Sequence, residues 1–114
     1  MSKSDFLTTL EFEKEFKRLK KKYRSLPDDL KEFKEDYLAN PSIGSDLGGN
    51  LRKIRISIKS KGKGKSGGAR LIVYELVVNV MFKHVVLVTI YDKSETETMS
   101  VAHCKAILSR NDFL

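Results

Sequence analysis

The period of the apolar residues changes at Leu51, and that change commits the chain to a fold of helices and strands together. From Leu51 onward, Arg52, Ile54, Ile56 and Ile58 occupy one face of an extended segment, with Lys53, Arg55, Ser57 and Lys59 on the other. The next stretch, KSKGKGKSGG, has turn chemistry. ARLIVYELVVNV follows and is apolar on both faces, as a strand in the middle of a sheet must be. A second turn between Asn79 and Lys83 leads into a strand from His84 to Tyr91, so three consecutive strands form an antiparallel meander.

Before Leu51 the spacing is helical. Asp5 to Leu10 reads as a short first strand, after which Phe12, Phe16, Leu19 and Tyr23 recur on one helical face. Pro27 suits the first turn of a second helix, whose stripe is Leu30, Phe33, Tyr37 and Leu38 and which ends at Asn40-Pro41. The two helices are expected to form a hairpin. Ser42 to Asn50, with Gly44, Gly48 and Gly49, reads as a loop. Near the C-terminus, Ser94 with Glu97 forms one capping box, and Ser100 before VAHCKAILSR is the preferred helix start. The order strand, two helices, three strands, helix predicts an α+β fold in which helices pack on a curved, mainly antiparallel four-stranded sheet. The length, 114 residues, suits one domain spanning 1–114.

Charge is concentrated. The net +7 resides in residues 51–70, where Arg52, Lys53, Arg55, Lys59, Lys61, Lys63, Lys65 and Arg70 meet no acid, while the remaining residues sum to −1. The mixture EFEKEFKRLKKKYR in the first helix reads as a solvated face with ion pairs between neighbouring turns. Eight cations without an acid repel one another on folding, so residues 51–70 point to a polyanionic partner, with nucleic acid first, against the plainer reading of a soluble hairpin tip. No run approaches the roughly 20 apolar residues of a membrane span, and the start of the chain lacks an apolar signal core, so a cytoplasmic location is expected. A single cysteine, Cys104, and two histidines, His84 and His103, give no ligand spacing for a metal. No cofactor is expected either.

A guanidinium is costly on an apolar face, so Arg70 belongs with Lys53, Arg55 and Lys59. Paired residue numbers in the first hairpin then sum to an odd value, as when Lys59 faces Arg70 and Arg55 faces Tyr74. Thr89, Tyr91 and Lys93 alternate along the border of the same face. A ribose 2′-hydroxyl attacking the adjacent phosphate builds negative charge on the phosphoryl oxygens, which preorganised Arg and Lys donors stabilise most in the transition state. Arg70 is the first candidate for that role. A lysine crowded by cations loses its proton more easily, which makes Lys53, Lys59 and Lys93 candidate acids or bases. Tyr74 and Tyr91 are candidate stacking surfaces for a base, with sheet packing as the alternative. Arg52, Lys59, Lys61, Lys63 and Lys65 complete the candidate RNA-binding set.

The combination of LRKIR, GKGKSGGAR and IYDKSE resembles the HigB branch of the RelE/ParE toxin superfamily over roughly residues 5–110. The resemblance implies a toxin neutralised by a partner antitoxin, with ribosome-dependent cleavage of messenger RNA. It assigns the strand cations to Lys53 and Arg55, the arginine after the turn to Arg70, and the basic position after the last strand to Lys93. RelE-type members carry an arginine and a tyrosine where this chain has Ser94 and Ser100, which leaves the proton-transfer residue open among Lys59, Lys65, Tyr91 and Glu95. A ParE-like topoisomerase inhibitor and a non-catalytic basic RNA-binding module are the alternatives.

Overall fold

A computed structural model describes residues 3–62, 64, 67–96 and 98–114. Strand β1 (Lys3–Thr8) leads into α1 (Leu10–Lys22) and α2 (Leu26–Ala39). Four strands follow, β2 (Ser45–Gly48), β3 (Leu51–Ile56), β4 (Ala69–Asn79) and β5 (Phe82–Asp92), and then α3 (Val101–Arg110). The sheet order is β1-β5-β4-β3-β2, with β1 parallel to β5 and every other pair antiparallel. The α+β class holds with five strands instead of four. The extra one, β2, lies in the segment read as a loop: its four residues are short and glycine-bounded, yet Ser45 pairs with Lys53 and Asp46 with Arg52.

Two apolar layers sandwich the sheet. Phe12 and Leu19 of α1 and Leu30, Phe33 and Tyr37 of α2 bury Ile54, Ile56, Leu71, Val73, Leu87 and Ile90 on one face. On the other, Cys104, Ile107 and Leu108 of α3 cover Leu51, Ile72, Tyr74, Val86 and Val88. Thr9 starts α1 as its cap, accepting from the Phe12 amide at 2.9 Å and donating its own hydroxyl to the Val88 carbonyl at 2.7 Å, which fixes the helix to β5. Ser100 begins α3 as expected, accepting from the His103 amide at 3.0 Å. Glu97, the other half of the alternative capping box, lies outside the described residues.

The odd-sum parity of the β3–β4 pairing holds, but the register lies four residues from the illustrative one. Arg55 faces Arg70 and Leu51 faces Tyr74. Strand β3 stops at Ile56 because Ile58 must still reach the core, and the chain then turns through a short 3-10 segment at Lys59–Lys61. Gly68 closes the hairpin. A Cβ there would lie 2.0 Å from the Ile56 carbonyl oxygen, so only glycine lets the two backbones meet at this point.

Candidate nucleic-acid interface

The antiparallel register carries one cross-strand row over three strands, in which Arg55 faces Arg70 and Arg70 faces Tyr91. The row depends on an irregularity in β5. Ile72 pairs with Thr89 but Val73 pairs with Leu87, so Val88 has no opposite residue. Without that extra residue Ile90 would stand beside Arg70, and with it Tyr91 does. A bulge here re-aims a side chain, as bulges beside functional sites commonly do.

Two guanidinium groups directly opposite one another are unfavourable, and burial sharpens the conflict. Arg70 is only 5% exposed. Burial, then the charge of Arg55, lowers its affinity for a proton, while Tyr91 acts in the other direction. Burial likewise pushes the Tyr91 phenol up against the opposing pull of Arg70. Among the described residues the Tyr91 hydroxyl makes no well-formed hydrogen bond, although Thr98 lies beside it. Arg55 is exposed, and among the described residues it forms no ion pair.

Beyond Lys53, the edge of β3 extends past its partner β2, and a cleft of about 530 Å³ opens there. Lys53, Arg55, Arg70 and Lys93 line one side, and Asp29, Glu32 and Asp36 of α2 line the other. Phe33, Ile43, Ile54 and Ile56 add apolar surface to the cleft. The four cations that the family resemblance singled out therefore converge on one cleft.

The remaining candidates separate from it. Arg52 belongs to the α2 face, where Nη1 donates to the Ser42 carbonyl at 3.2 Å and Nε lies 4.0 Å from Glu75. Lys59 falls outside β3 and pairs with Glu32 at 2.7 Å. That contact raises its proton affinity, contrary to the expectation of an easily deprotonated lysine. Lys61 turns inward onto Asp92, with its ammonium 2.6 Å from Oδ1, so it is a structural cation. Tyr74 and Tyr91 are both buried, Tyr74 beneath α3, and neither offers an open ring face to a base. Lys63 and Lys65 lie outside the described residues.

Asp92 was not among the residues singled out from sequence. It is fully buried at the end of β5 and accepts from Lys61, from the Tyr23 hydroxyl at 2.5 Å on Oδ2, and from the Ser94 hydroxyl and amide at 2.7 and 2.9 Å. The Asp-x-Ser spacing in IYDKSE is a local turn signal for the last two of these bonds. The long-range pair with Lys61 has no sequence signal. The acidic wall of α2 was not singled out from sequence, because Asp29, Glu32 and Asp36 lie beside the apolar stripe of that helix and form no motif.

The architecture is a three-helix, five-stranded α+β sandwich whose sheet edge presents a cationic cleft. The family model for the RelE toxin of the RelE / RelB toxin-antitoxin system matches residues 11–110, and the chain belongs to that family. It is a toxin of a toxin-antitoxin system, and an antitoxin is its implied partner. No described helix is long and apolar enough to cross a membrane.

Proposed function

We propose that this toxin, acting in the cytoplasm as one 1–114 domain of the HigB type, is a ribosome-dependent endonuclease that inhibits translation by cutting messenger RNA. The observation that supports it most is the Arg55–Arg70 pair at the cleft. A buried guanidinium held against a second one is unfavourable in the free protein and favourable once a phosphate lies between them. In the reaction, the ribose 2′-oxygen forms a bond to phosphorus and the bond to the 5′-oxygen breaks. The products are a 2′,3′-cyclic phosphate and a 5′-hydroxyl. Arg70 and Arg55 stabilise the charge that develops on the phosphoryl oxygens, and Lys53 and Lys93 hold the flanking backbone. One proton leaves the 2′-hydroxyl and one reaches the departing 5′-oxygen. Tyr91, next to Arg70, is the phenol nearest to that exchange by register.

Cell-free translation tests this reading. Wild-type toxin yields message fragments with 5′-hydroxyl ends, and Arg70→Ala leaves the message whole. Intact message with folded wild-type toxin refutes it, and inhibition of DNA supercoiling by that same preparation would turn the assignment to the ParE-like alternative.

A further inference from the structure

The first helix carries one of the neighbouring-turn ion pairs that its mixed sequence suggests, Glu15 with Arg18 at 2.9 Å. Its other two acids are used outside the helix: Glu11 binds Arg110 at 2.9 Å, and Glu13 accepts from the Thr8 hydroxyl at 3.0 Å. Arg18 also reaches Glu95 at 2.8 Å, and Lys22 lies 3.7 Å from the same carboxylate. Lys14, Lys17, Lys20, Lys21 and Arg24 are exposed, and none of them enters an ion pair among the described residues.

Lys14, Lys17 and Lys21 follow one another at steps of three and four, on the side of α1 opposite Phe12 and Leu19, so the three positions form a line about 10 Å long on the helix. The helix dipole accounts for basic residues in the last turn, Lys20 to Lys22, but not for Lys14 and Lys17. Like charges at these spacings oppose helix formation, and a line of phosphates relieves that opposition.

We infer that the outward face of α1 is a second RNA-binding surface, separate from the cleft, that takes the phosphate backbone of duplex RNA. The occupant is duplex because the line is straight and rigid and bears no aromatic ring. Phe12 is buried, and Phe16 and Tyr23 pack against the core, so the stacking platform that single strands require is missing from this face. The contacts of Lys22 with Glu95 set the end of α1 beside the turn that carries Lys93, so a structured RNA held on α1 lies next to the cleft. The inference rests on RNA being the substrate of that cleft, and its role is to hold a folded RNA while a single strand enters.

Fluorescence anisotropy with a short blunt RNA duplex tests it without any cleavage step. Substituting Lys14→Gln, Lys17→Gln and Lys21→Gln together lowers duplex affinity tenfold or more, and the plot of log affinity against log salt becomes shallower by about 2 to 3. Arginine at the same three positions restores both, and an unchanged thermal midpoint shows that the fold is kept. Equal affinity and slope in wild type and the glutamine variant overturn the inference. So does a loss confined to anionic lipid vesicles, which assigns the face to a membrane surface. If wild type cuts no message yet the glutamine variant still loses duplex affinity, the surface stands and the nuclease reading falls.

Discussion

Lys61 places its ammonium 2.6 Å from Asp92 Oδ1, and this contact anchors the lysine-glycine turn between β3 and β4 to the end of β5. Tyr23 completes the arrangement from the end of α1. Removing the carboxylate charge strands a cation whose side chain is only 9% exposed. Asp92→Asn is therefore expected to lower the unfolding free energy by about 3 kcal/mol or more in urea denaturation. Lys61→Met leaves Asp92 bonded to Tyr23 and Ser94 and is expected to cost clearly less. Equal losses would show that the pair does not anchor the turn.

Acid should expose the same anchor. Burial alone would raise the Asp92 pKa, but the hydrogen bonds from Lys61, Tyr23 and Ser94 outweigh it and hold the carboxyl well below the usual carboxylate range. A folded-state pKa below the unfolded one contributes stability that is complete above the unfolded value, about 4, and is lost as pH falls through the folded value. Urea midpoints measured at descending pH below about 5 should fall for wild type and fall less steeply for Asp92→Asn. Parallel slopes would contradict this, since Glu75 and Glu95, also depressed, are common to both proteins.

Gly68 sets the register that brings Arg55 opposite Arg70. Its Cβ position lies against the Ile56 carbonyl oxygen and the Ile58 amide, at 2.0 and 3.1 Å, and backbone cannot give way as a flexible side chain can. Gly68→Ala is expected to lower stability by about 1–3 kcal/mol through overpacking, read from the urea midpoint. A neutral result would mean that the hairpin tolerates a wider closure.

The Arg55–Arg70 opposition makes function and stability move in different directions. Arg55→Ala removes an exposed member of a like-charge pair, so stability is expected to hold or rise by roughly 0.2–1 kcal/mol. Affinity for RNA should fall in the same variant. A loss of stability with RNA affinity intact would show the pair to be structural.

How far the sequence led can be seen at individual residues. The period-2 alternation sufficed to put Lys53, Arg55 and Arg70 on one face, because moving Arg70 across would bury a guanidinium in the apolar layer. The offset of four residues was beyond it, since the offset depends on where Ile58 turns inward and on how closely Gly68 approaches Ile56. Strand β2 is four residues of Ser, Asp, Leu and Gly, and pairing with β3 makes it a strand where intrinsic preference does not. Lys59, Lys61, Lys63 and Lys65 look alike in a lysine-glycine repeat. Glu32 and Asp92, both distant in sequence, give Lys59 and Lys61 different roles, one an exposed ion pair and the other a buried anchor. For Tyr74 and Tyr91 the sequence left base stacking and sheet packing both open, and the structure decides for packing: α3 covers the first and the layer beneath that helix takes in the second.

Single-turnover cleavage of a message in a cell-free ribosomal system, compared among wild type, Arg55→Ala, Arg70→Ala and the double variant, tests the shared role of the two guanidinium groups most directly. Each single substitution is expected to slow cleavage about 10²- to 10³-fold, and the double to cost little more, because the two act as a unit on one developing charge. Cleavage at the wild-type rate by folded Arg70→Ala would contradict it.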